Sequence, residues 1–243
     1  MNLRLTWSSL LALGLAACAG CGPVSPEAGG GSAQAEKKVK SFARLTPEGE
    51  ILGVGVIVPV KSFESVPSDD EAFQSVGIEM PPEVRDRTFL QSLRINWLAS
   101  GHGPSPYGAP HFDLHFYRGT SAEIDAIDCS EEGPFAAAIL SPLHQAPSLC
   151  VSQMGYHAWP TTDLATSTFG ASIILGYYAQ KMVFIEPMIT QERFLQRSSF
   201  ELDIARPESA GGEKTLYPSH LTVTHDEATD ATTFEFNHFE TID

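Results

Sequence analysis

The sequence predicts a mainly β fold, an antiparallel sandwich or barrel with long loops and a few short helices. Three observations lead to this prediction: apolar and polar residues alternate over several short segments, polar connections join pairs of these segments, and 17 prolines are spread along the chain. Alternation with a period of two is typical of a strand that buries one face. Proline occurs in connections far more readily than inside a helix or a central strand.

The individual strands follow from this alternation. Ile51–Val60 is an almost continuous aliphatic run, Leu93–Trp97 alternates apolar residues with polar ones, and Phe112–Phe116 repeats that alternation. Because alternate side chains of a strand share one face, the odd positions of Leu93–Trp97 and the even positions of Phe112–Phe116 should point into the core.

Two hairpins are predicted, since each pairs two apolar segments across a short connection. The first joins Ala171–Tyr178 to Lys181–Met188 through the turn Ala179-Gln180. The second joins Leu221–His225 to Thr232–Phe236 across five residues that are too polar to bury.

Two short helices are predicted in the connections. One covers Pro134–Leu140, and the other covers Thr190–Leu195, where Thr190 together with Glu192 can cap the first turn. The sequence shows no internal repeat, so these elements belong to one fold rather than to a repeated unit.

The N-terminus predicts export and a lipid anchor. A single positive charge precedes a short apolar run, which is the pattern of a signal peptide rather than of a membrane-spanning helix. Leu15-Ala16-Ala17-Cys18 resembles the bacterial lipobox, in which the cysteine after the cleavage site is lipidated. We therefore expect residues 1–17 to be a lipoprotein signal peptide, 18–38 to hold the lipidated Cys18 and a flexible tether, and 39–243 to form a single β-rich domain.

This organisation predicts a location in the bacterial cell envelope, either periplasmic or on the outer surface. The alternative is a plain secretory signal cleaved near Ala17 or Ala19, which would leave the protein exported but without the anchor.

Composition excludes several classes of partner and chemistry. The chain has 30 acidic and 15 basic side chains and a formal net charge of -15, whereas nucleic-acid binding requires clustered Lys and Arg. We therefore expect no nucleic-acid partner, and membrane contact only through the N-terminal lipid. Motifs for a nucleophile elbow, a phosphate loop and a dinucleotide site are missing from the sequence, and its acidic residues lack the spacing of a calcium loop.

Cys129 and Cys150 are the two cysteines of the predicted domain. In an oxidising envelope they can form a disulfide that closes a loop of about 22 residues and stabilises the fold by on the order of 3 kcal/mol. The alternative is a pair of reduced, buried cysteines that pack as small apolar residues.

The segment His111–Tyr117 holds the clearest candidate site. On a strand, His111, Asp113, His115 and Tyr117 would share the face opposite the core. The Cα atoms of the two histidines would lie about 13 Å apart, whereas residues two apart lie about 6.6 Å apart. We therefore expect Asp113 to pair with one of these histidines in a site that another strand or loop completes. The alternatives are a polar network that binds nothing and acid–base catalysis without a metal.

Further candidate ligands lie elsewhere in the chain. His157 is in a loop with glycine and aromatic neighbours, and Glu186 follows an apolar strand and precedes a proline. With the strand residues they make a mixed nitrogen and oxygen set that suits a divalent Zn, Fe or Mn ion. Met154 and Met188 would favour Cu, which we rank lower because methionines beside aromatic residues usually pack in the core. His102 is expected to support the site, and no residue is assigned as catalytic.

Five short motifs of the chain are distinctive: Gly101-His102-Gly103, Pro110–Tyr117, Met154–His157, Gly176-Tyr177-Tyr178 and Phe184–Thr190. They are similar to the signature of an uncharacterised family of bacterial exported proteins, a domain of unknown function, over about residues 39–217. The chain departs from the family pattern at Ala158, where the family has Trp, and at Ala179-Gln180, where the family has Asp-Gly. The resemblance implies a β-rich fold and allows a homo-oligomer, but it implies no reaction.

Three functional hypotheses follow. The first is an envelope-anchored lipoprotein whose β-sheet His/Asp/Glu site binds a divalent transition metal or a small polar ligand without turnover. The second is a metal-dependent hydrolase or oxygenase at the same site, in which Glu186 or Tyr117 moves protons. The third is an oligomerising envelope scaffold whose polar strand holds no ligand.

Overall fold

The computed structural model describes residues 39–66, 77–131, 139–145 and 150–243. The predicted signal peptide, the Cys18 anchor, the tether and most of the predicted helix Pro134–Leu140 lie outside these residues.

Within the described residues the chain forms thirteen strands and four short α-helices. The strands are β1 (Lys40–Leu45), β2 (Ile51–Pro59), β3 (Ile78–Glu79), β4 (Ser92–Leu98), β5 (His111–Tyr117), β6 (His144–Gln145), β7 (Cys150–Val151), β8 (Gly155–Pro160), β9 (Ala171–Tyr178), β10 (Lys181–Thr190), β11 (Phe200–Asp203), β12 (Thr215–Asp226) and β13 (Ala231–Ile242). The helices are α1 (Val60–Glu64), α2 (Pro82–Arg85), α3 (Ser121–Asp125) and α4 (Gln191–Leu195).

The strands form two antiparallel sheets that pack as a sandwich. The five-stranded sheet has the order β1-β2-β13-β12-β11, and the eight-stranded sheet has the order β3-β4-β5-β10-β9-β8-β6, with β7 also paired to β8. The prediction of a mainly β, antiparallel fold is therefore confirmed, and the structure adopts the sandwich rather than the barrel.

The main core lies between the two sheets. The even-numbered residues Phe112, Leu114 and Phe116 of β5 are fully buried there, as the alternation predicted. The ring of Phe116 meets the ring of Phe236, from β13, edge-on with a centroid distance of 4.6 Å. Because the even positions of β5 fill this core, the odd positions point to the other side of the eight-stranded sheet.

Both predicted hairpins are present. Ala179 and Gln180 join β9 to β10 with φ values of 47° and 58°, which are the left-handed values of a type I′ turn. The β12–β13 pairing is longer than predicted and extends over both full strands. In its connection the Asp226 carboxylate accepts a hydrogen bond from the backbone N–H of Ala228, as is typical of an Asx turn.

The helix predicted at Thr190–Leu195 is α4, with Thr190 as its N-cap. Thr190 Oγ1 accepts a hydrogen bond of 3.1 Å from the backbone N–H of Arg193. Phe194 of α4 packs against Phe63 of α1 at a centroid distance of 4.8 Å and closes one end of the core. In the described part of the chain, none of the helices has the length and apolar character needed to cross a membrane.

A disulfide joins Cys129, which follows α3, to Cys150 in β7. The two cysteines are 21 residues apart in the sequence, so the bridge restricts a long loop in the unfolded chain. We expect the double replacement of Cys129 and Cys150 by serine to lower the free energy of unfolding by about 2–3 kcal/mol. Urea unfolding measures this change, and Cys21→Ser, which leaves the bridge intact, is the control. Equal unfolding midpoints for the two variants would contradict the expectation.

Candidate metal centre

The outer face of the eight-stranded sheet is a buried polar layer. His111, Asp113, His115 and Tyr117 lie on this face, and every residue of β5 is buried. Apolar residues from the covering loops and from neighbouring strands form a second, smaller cluster over the same face; it includes Tyr107, Ile124, Ile127, Ile174, Phe184 and Met188. The titratable groups are therefore held between the sheet and its covering loops, away from bulk water.

Three candidate ligands converge in the first group, which we call the His115 triad: His115 of β5, His157 of β8 and Glu186 of β10. His115 Nε2 lies 3.4 Å from Glu186 Oε1 and 3.5 Å from His157 Nε2. His157 Nε2 lies 3.8 Å from Glu186 Oε2. Around an ion with ligand bonds of about 2.0–2.1 Å, tetrahedral ligand atoms stand roughly 3.3–3.4 Å apart. The His115 triad thus has nearly the spacing of three ligands on one ion.

The second group, which we call the His102 triad, contains His102 from the loop after β4 and His111 and Asp113 of β5. His111 Nε2 lies 3.1 Å from Asp113 Oδ1, and His102 Nε2 lies 3.8 Å from Asp113 Oδ2. The Nδ1 atoms of His102 and His111 lie 2.7 Å and 2.6 Å from the carbonyls of Gly103 and Ala109. Because a carbonyl only accepts hydrogen bonds, both Nδ1 atoms carry the hydrogen. On a neutral imidazole, the Nε2 lone pair then faces Asp113.

The short contacts between a carboxylate oxygen and an imidazole nitrogen in the two triads require a proton or a metal ion between the two atoms. A carboxylate oxygen and a lone-pair nitrogen are both acceptors, so they repel each other unless a proton or a metal ion lies between them. In the other triad, Glu186 Oε2 is buried and has no hydrogen-bond partner in the described residues. A buried acceptor without a donor costs about 1–3 kcal/mol. Metal ligation satisfies these acceptors. Without a metal, the alternative is an imidazolium–carboxylate pair in the His102 triad, and a protonated Glu186 that donates to a neutral imidazole in the His115 triad.

The register of β5 and β10 places Glu186 next to His115. Since Ile185 pairs with Phe116 in this antiparallel ladder, Glu186 lies opposite His115 on the outer face. Glu186 is inside β10, which continues through Pro187 to its end at Thr190. The carboxylate therefore points into the buried layer from the middle of a strand.

A glycine allows His157 to reach this pair from two strands away. His157 lies opposite Gly176 of β9, which in turn pairs with Phe184 of β10. A Cβ on Gly176 would lie 2.0 Å from the Phe184 ring, so only glycine lets that ring lie over β9. The Phe184 ring then packs against the imidazoles of both His157 and His115, at centroid distances of 4.9 and 5.0 Å.

The loop between β4 and β5 brings His102 back over the sheet. The backbone N–H of His102 donates to the carbonyl of Tyr107 at 3.0 Å. Gly101 has a φ of 63°, and a Cβ there would lie 2.3 Å from that same carbonyl, so the turn requires glycine. The Tyr107 hydroxyl donates to Asp163 at 2.9 Å, and Asp163 also accepts from Ser172 of β9. These contacts fix the His102 loop to the sheet.

Burial controls the protonation of the ligands. Desolvation lowers the pKa of His115 to about 3 and the pKa of His157 to about 4, although the charge of Asp113 opposes both shifts. Desolvation raises the pKa of Glu186 well above its ordinary value, and Asp113 adds to this rise. Burial alone would also raise the pKa of Asp113, but its contact with His111 and the neighbouring His115 and His102 outweigh burial and lower that pKa. The imidazoles of the His115 triad are thus neutral at pH 7, the form that binds metals.

The ligand set that the sequence predicted as one site is divided in two by the structure. Asp113 pairs with His111, which was one of the two pairings left open, while His115 joins His157 and Glu186. His102, predicted only to support the site, supplies a ligand atom of its own triad.

The other predicted supporting residues lie outside both triads. The ring of Tyr117 stacks on His115 with a centroid distance of 5.7 Å. Met188 is fully buried and pairs with Asp113 across β5 and β10. Met154 is half-buried in the turn between β7 and β8. Tyr107 and Asp163 were not predicted from the sequence, because no local pattern links residues that meet only through the fold.

His144 of β6 is a buried histidine outside the triads. Burial lowers its pKa to about 4, against a hydrogen bond to the backbone of Ile173 and the charge of Asp163. In the unfolded chain the imidazole of His144 has its ordinary pKa near 6.5, so between pH 6.5 and pH 4 the unfolded chain is protonated at this group while the folded protein is not. The free energy of unfolding should therefore fall as the pH falls from 6.5 to 4, by on the order of 2–3 kcal/mol. We expect His144→Gln to reduce this loss.

Urea unfolding at pH 7 and pH 4.5 measures the difference for the wild type, for His144→Gln and for the control His220→Gln on the other sheet. If the free energy of unfolding falls equally between pH 7 and pH 4.5 for the wild type and for His144→Gln, His144 does not contribute to the pH dependence of stability.

Comparison with known proteins adds no assignment, since no family model, no curated protein and no solved structure matches this chain. Membership of the exported family therefore stays a prediction, and the function has to be argued from the geometry of the site.

Proposed function

We propose that the protein binds a divalent transition-metal ion through the His/Asp/Glu residues on the outer face of its eight-stranded sheet. The observation that supports this most is the His115 triad, in which one ligand atom from each of three strands lies within 4.8 Å of the other two. The side chains of His115 and Glu186 are each only 1% exposed. Such a group is stable without a ligand only if protons satisfy every facing acceptor.

The donor set and its spacing favour a metal ion over a small polar molecule. The facing acceptors of each triad are too close for a molecule to fit between them, whereas an ion at about 2.0–2.2 Å from each atom fits. Two imidazole nitrogens and one carboxylate oxygen suit Zn, Fe or Mn. Cu remains the less favoured ion, because neither triad contains a thioether or a thiolate.

Metal content after reconstitution tests this proposal. The purified full-length protein is incubated with Zn²⁺, Fe²⁺, Mn²⁺ or Cu²⁺, passed through a desalting column and analysed for bound metal per chain. We expect stoichiometric retention of at least one of these ions by the wild type, and a loss of at least one equivalent in His115→Ala/Glu186→Ala. His220→Gln, which removes a histidine from the other sheet, should retain the wild-type content of Zn²⁺, Fe²⁺ or Mn²⁺. Wild-type protein without bound metal, or a double variant with wild-type content, would rule out the proposal.

A metal-dependent enzyme is the second candidate function, and the number of ligands favours it. Each triad supplies three protein ligands, which is the number in catalytic zinc sites and in the two-histidine, one-carboxylate iron sites of oxygenases. Such sites keep a position open for water or substrate. The hydroxyl of Tyr117 is buried without a hydrogen-bond partner in the described residues. Burial, and then the charge of Glu186, raises the pKa of Tyr117, so this phenol stays protonated and can donate a hydrogen bond beside the site.

Turnover assays distinguish this second function from binding alone. The Zn-loaded protein is tested against generic ester and phosphoester substrates, and the Fe-loaded protein is tested for oxygen uptake. Turnover that is lost in Tyr117→Phe while the metal content is unchanged supports an enzyme. Turnover no higher than that of the chelated protein supports binding without catalysis.

We also propose that the protein is exported and held at the cell envelope by a lipid on Cys18. The Cys129–Cys150 disulfide supports export, since such bridges persist in oxidising compartments. Fractionation of cells that express the wild type and Cys18→Ala tests the anchor. We expect the wild type in the membrane fraction and the variant outside it. The same fraction for both proteins would rule out lipidation at Cys18.

A further inference from the structure

The two triads lie side by side on the sheet. Asp113 of the His102 triad and His115 of the other triad are two residues apart on the same face of β5, so their Cα atoms are separated by about 6.6 Å. Met188 pairs with Asp113, and Glu186, two residues earlier in β10, lies diagonally across from Asp113. Asp113 and Glu186 are thus diagonal neighbours, whose Cα atoms on adjacent strands lie roughly 7–8 Å apart.

The shortest contacts of each carboxylate lie within its own triad. Asp113 faces His111 with Oδ1 and His102 with Oδ2. Glu186 faces His115 with Oε1 and His157 with Oε2. These contacts divide the six residues into two groups of three, each with its own set of facing ligand atoms.

The two triads have the same number and the same kinds of candidate ligands. Each triad has two imidazole nitrogens and one carboxylate, so each can neutralise half of the charge of a divalent ion with no shared ligand. The His102 triad is the more open one, because the side chain of His102 is 31% exposed, whereas that of His157 is 15% exposed. Ions should therefore exchange faster at the His102 triad.

We propose that the His102 and His115 triads bind two divalent transition-metal ions at the same time and form a two-ion centre. This inference rests on the proposed metal-binding function and goes beyond it in the number of ions and in their proximity. Because the two triads are neighbours on the sheet, the two ions repel each other, so the second ion binds more weakly than the first.

Equilibrium dialysis against Zn²⁺ tests the number of ions. We expect two Zn²⁺ per chain in the full-length wild type, one in Asp113→Asn and one in Glu186→Gln, with two retained in the control His220→Gln. Thermal melts of the chelated variants check that each variant is folded. If Asp113→Asn does not fold, His102→Gln replaces it, because the partly exposed His102 lies on a loop outside the sheet.

The outcomes separate the two proposals. Two ions in the wild type and one in each variant support the two-ion centre. One ion in the wild type overturns the two-ion centre and leaves the proposed function standing, whereas no bound ion overturns both.

Electron paramagnetic resonance of the Cu²⁺-loaded protein tests the proximity. The measurement is made in the His220→Gln background, because His220 and His238 lie together on the other sheet with Nδ1 atoms 3.0 Å apart and can take up copper. We expect dipolar broadening at two equivalents of Cu²⁺ that disappears in Glu186→Gln. Two bound ions with the spectrum of isolated Cu²⁺ would overturn the neighbouring arrangement.

Discussion

Replacing Glu186 by glutamine is expected to shift the stability of the metal-free protein and of the metal-loaded protein in opposite directions. In the metal-free protein, Glu186 is a buried carboxyl group that faces the nitrogens of His115 and His157. The glutamine amide has a similar shape, bears no charge and can donate to those nitrogens. We therefore expect it to raise the free energy of unfolding of the metal-free protein by about 1–3 kcal/mol.

In the metal-loaded protein the same change removes a ligand. An ion present at about 1,000 times its dissociation constant stabilises the wild type by about 4 kcal/mol, which corresponds to roughly 8–16 °C in melting temperature for a domain of this size. Glu186→Gln should lose most of this rise. Thermal unfolding with chelator and with excess Zn²⁺ measures both effects.

The control for this pair of measurements is Glu201→Gln, which changes an exposed carboxylate of β11 on the other sheet. We expect its melting temperatures to match those of the wild type with and without Zn²⁺. If Glu186→Gln shifts the melting temperature equally under both conditions, Glu186 is not a ligand.

Replacing Gly176 by valine is expected to damage the site without changing any ligand. The new Cβ would overlap the ring of Phe184, and this ring packs against His115 and His157. Overpacking of this kind should lower the free energy of unfolding by about 1–3 kcal/mol. Displacement of the ring should also weaken Zn²⁺ binding by about 10–100-fold, as the loss of a supporting residue does at other metal sites.

Gly170→Ala is the matched control, because a Cβ at Gly170 meets only the Arg193 side chain at an ordinary distance of 3.8 Å. Chemical unfolding and Zn²⁺ titration of both variants test the prediction. Wild-type Zn²⁺ affinity in a folded Gly176→Val protein would show that Phe184 does not position the imidazoles.

Local patterns were sufficient to predict much of the fold. The β9–β10 and β12–β13 hairpins are predictable because strand alternation and turn position are properties of adjacent residues. The two faces of β5 are predictable for the same reason, since side chains alternate along any strand. The α4 cap at Thr190 needs only the residues of one helical turn.

The division of the site into two triads could not be predicted from the sequence. It depends on the registers that place Glu186 opposite His115 and His157 opposite Gly176, and these pairings join residues far apart in the chain. His102 reaches Asp113 only because its loop folds back onto Tyr107, a contact without a local signature. The spacing of His111 and His115 predicted that the two are not the natural chelating pair, and the structure places them in different triads.

Metal binding by the two triads can be seen in an anomalous difference map from crystals of the Zn-loaded protein, with data collected on both sides of the zinc absorption edge. We expect a peak about 2.0–2.2 Å from Nε2 of His115, from Nε2 of His157 and from a carboxylate oxygen of Glu186, with a second peak among His102, His111 and Asp113. Well-ordered triads that make direct hydrogen bonds or hold water, with no anomalous peak at either position, would contradict this expectation.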